Sequence, residues 1–430
     1  MKKKYVIIGN SAAGIGCAEG IRKIDRDGSI TIISDEPHHT YSRPLISYFV
    51  QGKVSFEKMM YRRESFYKDN GIILFCGTRV VKIEPENRSV ILSDGKSMPY
   101  DKLLVATGSR AFVPAISGID NVSCKTTFMT LDDAKKLESF LSPEKKVLII
   151  GAGLIGLKCA EGILNKVKDI TVIDLAPQVL ASILDREGSD LVQSRFEEKG
   201  VKFIFSKSVS RFEPQVGRQG DYCAVLDNGN AGIDETRVDF DIVVLAAGVR
   251  PNTELLSGIA ETGRGIVINE KCETSCPNIF AAGDCTESID ISSGQKKIMA
   301  LLPNAYMQGE CAGVNMAGGE MSFDKAIPMN AIGFMGLHMI TAGNYSGQVY
   351  ESNNDGVYKK LFYSNNRLNG YIFIGEIEKA GIYTSLIREQ MPLDSIDFAL
   401  ICEKPGLMAF TKEVRAEKLG GQYGKQSHGK

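Results

Sequence analysis

The chain has 430 residues, of which 43% are hydrophobic and 24% charged, with 51 lysines and arginines against 52 aspartates and glutamates. That length holds two or three domains with full-sized cores. The near-zero net charge excludes a global electrostatic case for nucleic acid or an anionic membrane, and no stretch is long and apolar enough to span a bilayer, so a cytoplasmic setting is expected.

The start, Met1-Lys2-Lys3-Lys4, has the basic character of a signal peptide, yet the apolar run behind it covers only Tyr5 to Ile8 before a glycine. It reads as a first strand. A turn follows, Gly9-Asn10-Ser11-Ala12-Ala13-Gly14, and then a helical pattern through Cys17-Ala18-Glu19-Gly20-Ile21. The first glycine permits a tight turn, the small middle residue lets backbone approach a pyrophosphate, and the last lets helix and strand pack closely. A helix N-terminus at that point offers unpaired N–H groups to phosphates. Ser11 takes the place of the usual middle glycine and is small enough to be tolerated. At the end of the next strand, Ile30 to Ile33, Asp35 or Glu36 can hold a ribose hydroxyl. Short alternating runs at Thr78 to Ile83 and Ser89 to Ser93 predict a small antiparallel insertion, and the strand at Leu103 leads into Ala106-Thr107-Gly108.

The same unit then recurs. Lys146 to Ile150 leads into Gly151-Ala152-Gly153-Leu154-Ile155-Gly156 and on to Cys159-Ala160-Glu161-Gly162-Ile163, with an offset of 142 between positions 9 and 151 and between 17 and 159. Ile170-Thr171-Val172-Ile173 and Ala246-Ala247-Gly248-Val249-Arg250 repeat their first-copy counterparts at offset 140, and Asp174 supplies the acid. Four ordered blocks at a nearly constant offset mark a duplicated dinucleotide-binding unit. One glycine motif alone would be weak evidence; two in register, each with strand, helix and acid, are not.

Pro114 and the polar loop through Ser117-Gly118 mark a crossing between the copies, and Asn278-Ile279-Phe280-Ala281-Ala282-Gly283-Asp284 is a further strand expected to complete the first sheet. The expected organisation is a first, discontinuous domain over 1–113 and 249–325 and a second over 114–248. A C-terminal α+β domain over 326–410 is built from strands at Met329 to Thr341, Tyr358 to Tyr363 and Gly370 to Ile374, with a helix from Lys379 to Arg388; 411–430 is a polar tail. The fold class is therefore α/β, with two Rossmann-like domains followed by an α+β domain. Ten irregularly spaced cysteines and four histidines form no metal pattern; Cys272 and Cys276 lack a second pair, so no metal is expected.

These motifs together resemble the pyridine nucleotide-disulfide oxidoreductase superfamily over essentially the whole chain. The resemblance implies FAD in the first copy, held by Gly9, Ser11, Ala12, Ala13 and Gly14, by Glu36 and Val80, by Ala106, Thr107 and Gly108, and by Gly283 and Asp284 beside the ribityl chain. It implies NAD(H) in the second, held by Gly151, Gly153, Leu154, Ile155, Gly156, Asp174 and Gly248. The disulfide reductases of this superfamily carry one or two cysteines shortly after the first acid, whereas this chain has Tyr41-Ser42-Arg43-Pro44-Leu45-Ile46-Ser47-Tyr48. That segment resembles the rubredoxin and ferredoxin reductases and the flavin module of assimilatory nitrite reductases, with Arg43 neutralising the FAD pyrophosphate and Pro44 against the isoalloxazine. Two positions depart from the oxygenase-type ferredoxin reductases. Their lysine and glutamate near the flavin N5 correspond to Tyr48 and Lys158 here.

The reading implied is an FAD-dependent NADH oxidoreductase that passes electrons to a one-electron carrier of rubredoxin or iron-sulfur ferredoxin type, with no acid–base side chain essential to hydride transfer. The C-terminal domain is the candidate for shaping a carrier-docking surface, and a homodimer is compatible with this reading. An NADH oxidase or diaphorase, marked by oxygen-coupled turnover, and a redox-sensing flavoprotein, marked by slow reoxidation with every acceptor, are the alternatives.

Overall fold

A computed structural model describes residues 2–215, 222–227, 236–354, 356–412 and 415. Of the expected tail, all but 411, 412 and 415 falls outside the described residues. The chain divides into two compact units, residues 1–288 with 296–324, and 289–295 with 325–430.

The first unit contains both copies. Each is a five-stranded parallel sheet with its glycine strand in the middle. In the first, strands run in the order Ile279–Ala281, Lys102–Val105, Lys4–Ile8, Ser29–Ile33, Ile72–Phe75. In the second the order is Lys125–Thr127, Ile242–Leu245, Lys146–Ile150, Asp169–Ile173, Lys202–Ile204. The central strands are buried almost throughout, as strands covered on both faces must be. Both sheets take their edge strand from outside the repeat. Ile279–Ala281 comes from after the second copy, as its apolar run predicts, and Lys125–Thr127 from before it.

The antiparallel insertion has three strands, Val80–Glu84, Ser89–Leu92 and Ser97–Pro99. The second copy has its own, Ser208–Pro214, Tyr222–Asp227 and Arg237–Phe240, which the sequence reading did not anticipate. The two crossings between the copies also pair with each other. Ser109–Ala111 runs antiparallel to Val249–Pro251, with Arg110 opposite Arg250. These arginines are counterparts at offset 140, so duplicated segments meet each other across a local two-fold.

The second unit carries a five-stranded antiparallel sheet, in the order Met329–Phe334, Leu337–Gly343, Arg367–Ile374, Val357–Ser364, Gln348–Asn354. Helix Ala380–Arg388 packs on it through Ala380, Tyr383, Leu386 and Ile387. The run read as a single strand from Met329 to Thr341 is instead a hairpin. It turns at Met335 and Gly336, both at positive φ, and hydrophobic residues continue through the turn so that composition alone hides it. The edge strand Gln348–Asn354 was not expected, because its polar residues carry no apolar alternation.

Candidate functional site

The two glycine loops have the same backbone. Gly9 and Gly151 sit at φ +117° and +116°, where a Cβ would lie 2.1 Å from the Ala106 carbonyl oxygen and 2.2 Å from that of Ala246. A Cβ on Gly14 or Gly156 would strike the carbonyl of the first glycine of its own loop at 2.0 or 1.9 Å. At Gly153, by contrast, nothing lies within 4 Å of a Cβ, which explains why the first loop accepts Ser11 there.

Helices Ala12–Ile24 and Leu154–Ile163 begin at these loops, and neither has a side-chain cap or an acid in its first turn. Helices Leu131–Phe140 and Arg186–Glu197 are capped by Thr130 and Asp185, whereas Leu302–Ala317 and Ala380–Arg388, like the two loop helices, are not. Uncapped N-termini leave N–H groups and the positive end of the helix dipole to a phosphate, and the cradle above Gly9 and Gly151 admits only backbone. Both loops therefore fit a dinucleotide pyrophosphate.

Around the first loop the structure gathers the residues singled out in sequence. Glu36 pairs with Arg43, and its second oxygen accepts from Tyr41 Oη at 2.6 Å, while Asp35 is exposed; of the two candidate acids, Glu36 is the one turned into this network. Arg43 opens the short 3-10 turn Arg43–Leu45 with Pro44 in its first positions, and its Nη1 donates to the Met129 carbonyl at 3.2 Å. Burial works against the Arg43 charge, but the Glu36 carboxylate outweighs it and the guanidinium is held still more firmly protonated. Asp284 accepts weakly from Ser109 Oγ at 3.5 Å. Burial raises its pKa, and Arg43 offsets part of that. Gly283 donates from its N–H to Gln308 Oε1 at 2.7 Å, and it lies so close to Ala13 that a Cβ would meet that methyl at 3.1 Å. Ala106 closes the cradle over Gly9, and Thr107 and Gly108 are tied to the crossing by Asn252, which donates to the Thr107 carbonyl at 2.9 Å. Val80 is the buried first residue of its strand, two residues after Thr78, whose N–H donates to the Ser34 carbonyl.

Sequence reasoning assigned no role to several side chains that complete this site. Tyr41 Oη, besides donating to Glu36, accepts from the Leu131 N–H at 3.0 Å, and His38 Nε2 lies 2.8 Å from Asp132 Oδ1. The loop carrying Glu36 and Arg43 is thus clamped to the first turn of helix Leu131–Phe140. Asn10 accepts from Tyr67 Oη at 2.7 Å. In the loop carrying Glu36 and Arg43, His39 Nε2 and Thr40 Oγ1 are buried polar atoms with no hydrogen-bond partner. The proximity of Tyr41 to Arg43-Pro44 was a usable signal; the Gln308 and Asn252 contacts, 25 and 145 residues away in sequence, left none.

Around the second loop, Asp174 spends one oxygen on the Ala152 N–H at 2.6 Å and the other on the Ala176 N–H at 2.7 Å. The carboxylate is fixed at the strand end with lone pairs to spare. Leu175, which follows it, is 73% exposed. Gly248, at φ +104°, has open space around its Cβ position. Leu154 and Ile155 form the first helical positions. Tyr48 and Lys158 do meet: the Lys158 ammonium lies 5.1 Å from the centre of the Tyr48 ring.

Cys285, beside Asp284, is buried, its Sγ within reach of the Ala282 carbonyl, and burial raises its thiol to about 11. Among the described residues no three metal-ligating side chains cluster, and no helix is long and apolar enough to cross a membrane.

Two family models match the chain: pyridine nucleotide-disulphide oxidoreductase over residues 3–309, and the rubredoxin NAD+ reductase C-terminal domain over 328–391. The epsilon subunit of NADH-dependent phenylglyoxylate dehydrogenase from Aromatoleum evansii is 30% identical over 400 residues, covering 91% of this chain and 92% of that one. Nitrite reductase [NAD(P)H] from Bacillus subtilis is 31% identical over 403 residues, but this chain spans only 48% of its length. The reductase chain in the crystal structure of the covalent putidaredoxin reductase-putidaredoxin complex superposes with a TM-score of 0.84 at 24% identity, covering 94% of this chain and 96% of that one.

Proposed function

The chain belongs to the pyridine nucleotide-disulphide oxidoreductase family, and from that premise we propose that it is a cytoplasmic FAD-dependent NADH oxidoreductase that delivers electrons to a small one-electron carrier protein of rubredoxin or iron-sulfur ferredoxin type. Its cofactors are FAD and NAD(H). When bound, FAD supplies an acceptor for a hydride pair that can release electrons one at a time.

The chain's own residues do the holding and aiming. In this assignment the Gly9–Gly14 loop and the helix behind it take the FAD pyrophosphate, Arg43 neutralises it, Glu36 takes a ribose hydroxyl, and Asp284 with Gly283 takes the ribityl side. The Gly151–Gly156 loop and Asp174 do the same for NADH. The functional division follows: an FAD domain of 1–113 with 249–325, an NAD(H) domain of 114–248, and a C-terminal domain of 326–410.

The observation that carries the choice of acceptor is the segment Tyr41 to Tyr48, where Arg43 and Pro44 stand and no cysteine does. Without a thiol there, electrons have no route through a protein disulfide. Cys285, the nearest thiol to Asp284 in sequence, is buried and its thiol is pushed up to about 11, so little thiolate is present at neutral pH. The match of residues 328–391 to the rubredoxin reductase C-terminal domain supports a carrier protein over a small molecule.

Stopped-flow mixing of NADH-reduced protein with rubredoxin, ferredoxin, oxygen and glutathione disulfide tests the proposal. Reoxidation should be fastest with rubredoxin or ferredoxin and should depend on salt. Fastest reoxidation by the disulfide overturns it, and fastest reoxidation by oxygen replaces it with an NADH oxidase.

A further inference from the structure

The contact between the two copies carries a buried charge arrangement with little to contribute to stability. Helix Ile46–Val50, just after Arg43-Pro44, packs on helix Leu154–Ile163, and Gly162 comes so near that a Cβ would lie 3.2 Å from the Ser47 carbonyl. Lys158 projects into this contact. Its Nζ is 2.6 Å from Glu161 Oε2 on its own helix, and the two side chains are only 14% and 7% exposed. From the other helix come the Tyr48 ring, 5.1 Å from the Lys158 ammonium, and Gln51, which donates from Nε2 to the Glu161 carbonyl at 2.9 Å. Gln51 Oε1 is buried without a partner, and Lys53 covers the Tyr48 ring at 5.8 Å.

An ion pair this buried gains little net stability, because desolvation consumes most of the attraction, and an apolar pair of the same size would often do as well. Nor does this pair tie the copies together, since both charges lie on one helix three residues apart. Its position is what distinguishes it. Lys158 stands seven residues after Gly151, and the ring beneath it stands four residues after Pro44. The charge thus joins the helix that follows the segment assigned to the flavin and the helix that follows the loop assigned to the nicotinamide nucleotide.

We propose that Lys158 is a positioning residue for charge, held over Tyr48 by Glu161, and that its ammonium raises the midpoint potential of the bound flavin. The proposal rests on the reading that FAD occupies the first site. A cation near a group that gains negative charge on reduction favours the reduced form, and the neighbouring carboxylate opposes it. The charge layout differs from the one the family resemblance implies, in which the first helix contributes the lysine and the second the acid: here the second helix carries both charges and the first only the Tyr48 ring.

The test is the midpoint potential of purified, FAD-loaded protein, equilibrated against a reference dye, for the wild type and for K158M, K158Q, K158R and E161Q. K158M and K158Q should lower the reduction equilibrium constant on the order of tenfold, which is about 30 mV for a two-electron couple. K158R should stay near wild type, and E161Q should shift the potential upward. Opposite signs are the diagnostic, since a structural role would move K158Q and E161Q the same way or not at all. Unchanged potentials in K158M and K158Q at full FAD content, or a fall in E161Q, overturn the proposal. If K158M does not retain FAD, K158Q and E161Q decide it. A wild-type protein that holds no FAD overturns the functional reading, and this proposal with it.

Discussion

In the first copy the glycine loop is enclosed on several sides. The Gly283-Asp284 turn and helix Leu302–Ala317 lie against the start of helix Ala12–Ile24, and the Glu36–Arg43 loop is clamped to helix Leu131–Phe140 through Tyr41, His38 and Arg43. In the second copy the loop is held by Asp174 and by the buried Leu180, whose N–H donates to the Ala152 carbonyl at 3.0 Å, and Asp174 is followed by the exposed Leu175. Two sites with one backbone are thus finished differently: the acid of the first is paired with a counter-cation, which suits a cofactor that stays, and the acid of the second is held by backbone N–H groups, which suits one that exchanges. Duplication supplied the phosphate cradle twice, and the added side chains divided the work.

The strongest way to break this comparison is at the cradle itself. Gly9→Val drives a side chain into the Ala106 carbonyl and should cost about 3 kcal/mol or more, yielding protein without FAD. Gly153→Ser, which gives the second loop the residue that the first has at Ser11, should leave stability within about 0.5 kcal/mol. Thermal unfolding with the flavin-to-protein absorbance ratio checks both, and equal damage at the two positions would refute the shared-backbone argument.

Removing the counter-cation comes next. Arg43→Met leaves Glu36 and Asp284 without their cation, and the FAD Kd should rise about 100-fold, or about 2.7 kcal/mol, as read by fluorescence titration of FAD-free protein. The affinity for NADH should hardly change, since Arg43 belongs to the first copy only.

In the second copy, Asp174 can accept from a 2′-hydroxyl but repels a 2′-phosphate, and Leu175 and Ala176 offer no cation. The kcat/KM ratio of NADH to NADPH should favour NADH and should fall about tenfold in Asp174→Ala, or about 1.4 kcal/mol. Equal values for the two donors in the wild type would count against the role of Asp174.

The smallest effect concerns Asp284, which has no counterpart in the second site. Burial raises its pKa in the folded protein, so the protonated form is favoured there. The cost of the charged form is absent below the unfolded value of about 4, grows as pH rises through the folded value, and is fully present above it. FAD-free Asp284→Asn should therefore unfold slightly higher than wild type at pH 7, by about 1 kcal/mol or less, with the difference vanishing near pH 4. Calorimetry at the two pH values decides it; a variant less stable at pH 7 would contradict the sign.

What the sequence determined by itself is what depends on neighbours along the chain. A strand, a glycine turn, a helix and an acid at fixed spacing are local requirements of one phosphate cradle, so both copies, the Arg43-Pro44 segment and the absence of a thiol beside it could be read directly. What only the tertiary structure decided depends on residues brought together from far apart. It tied Tyr41 to Glu36 and to the Leu131 N–H, set Gln308 on Gly283 and Asn252 on Thr107, and paired Arg110 with Arg250. Even the polar edge strand Gln348–Asn354 took its conformation from the Val357–Ser364 strand beside it. Backbone geometry is encoded in short-range sterics and periodicity, whereas the partner of a buried polar group is chosen by packing, and packing joins positions that no pattern along the chain connects.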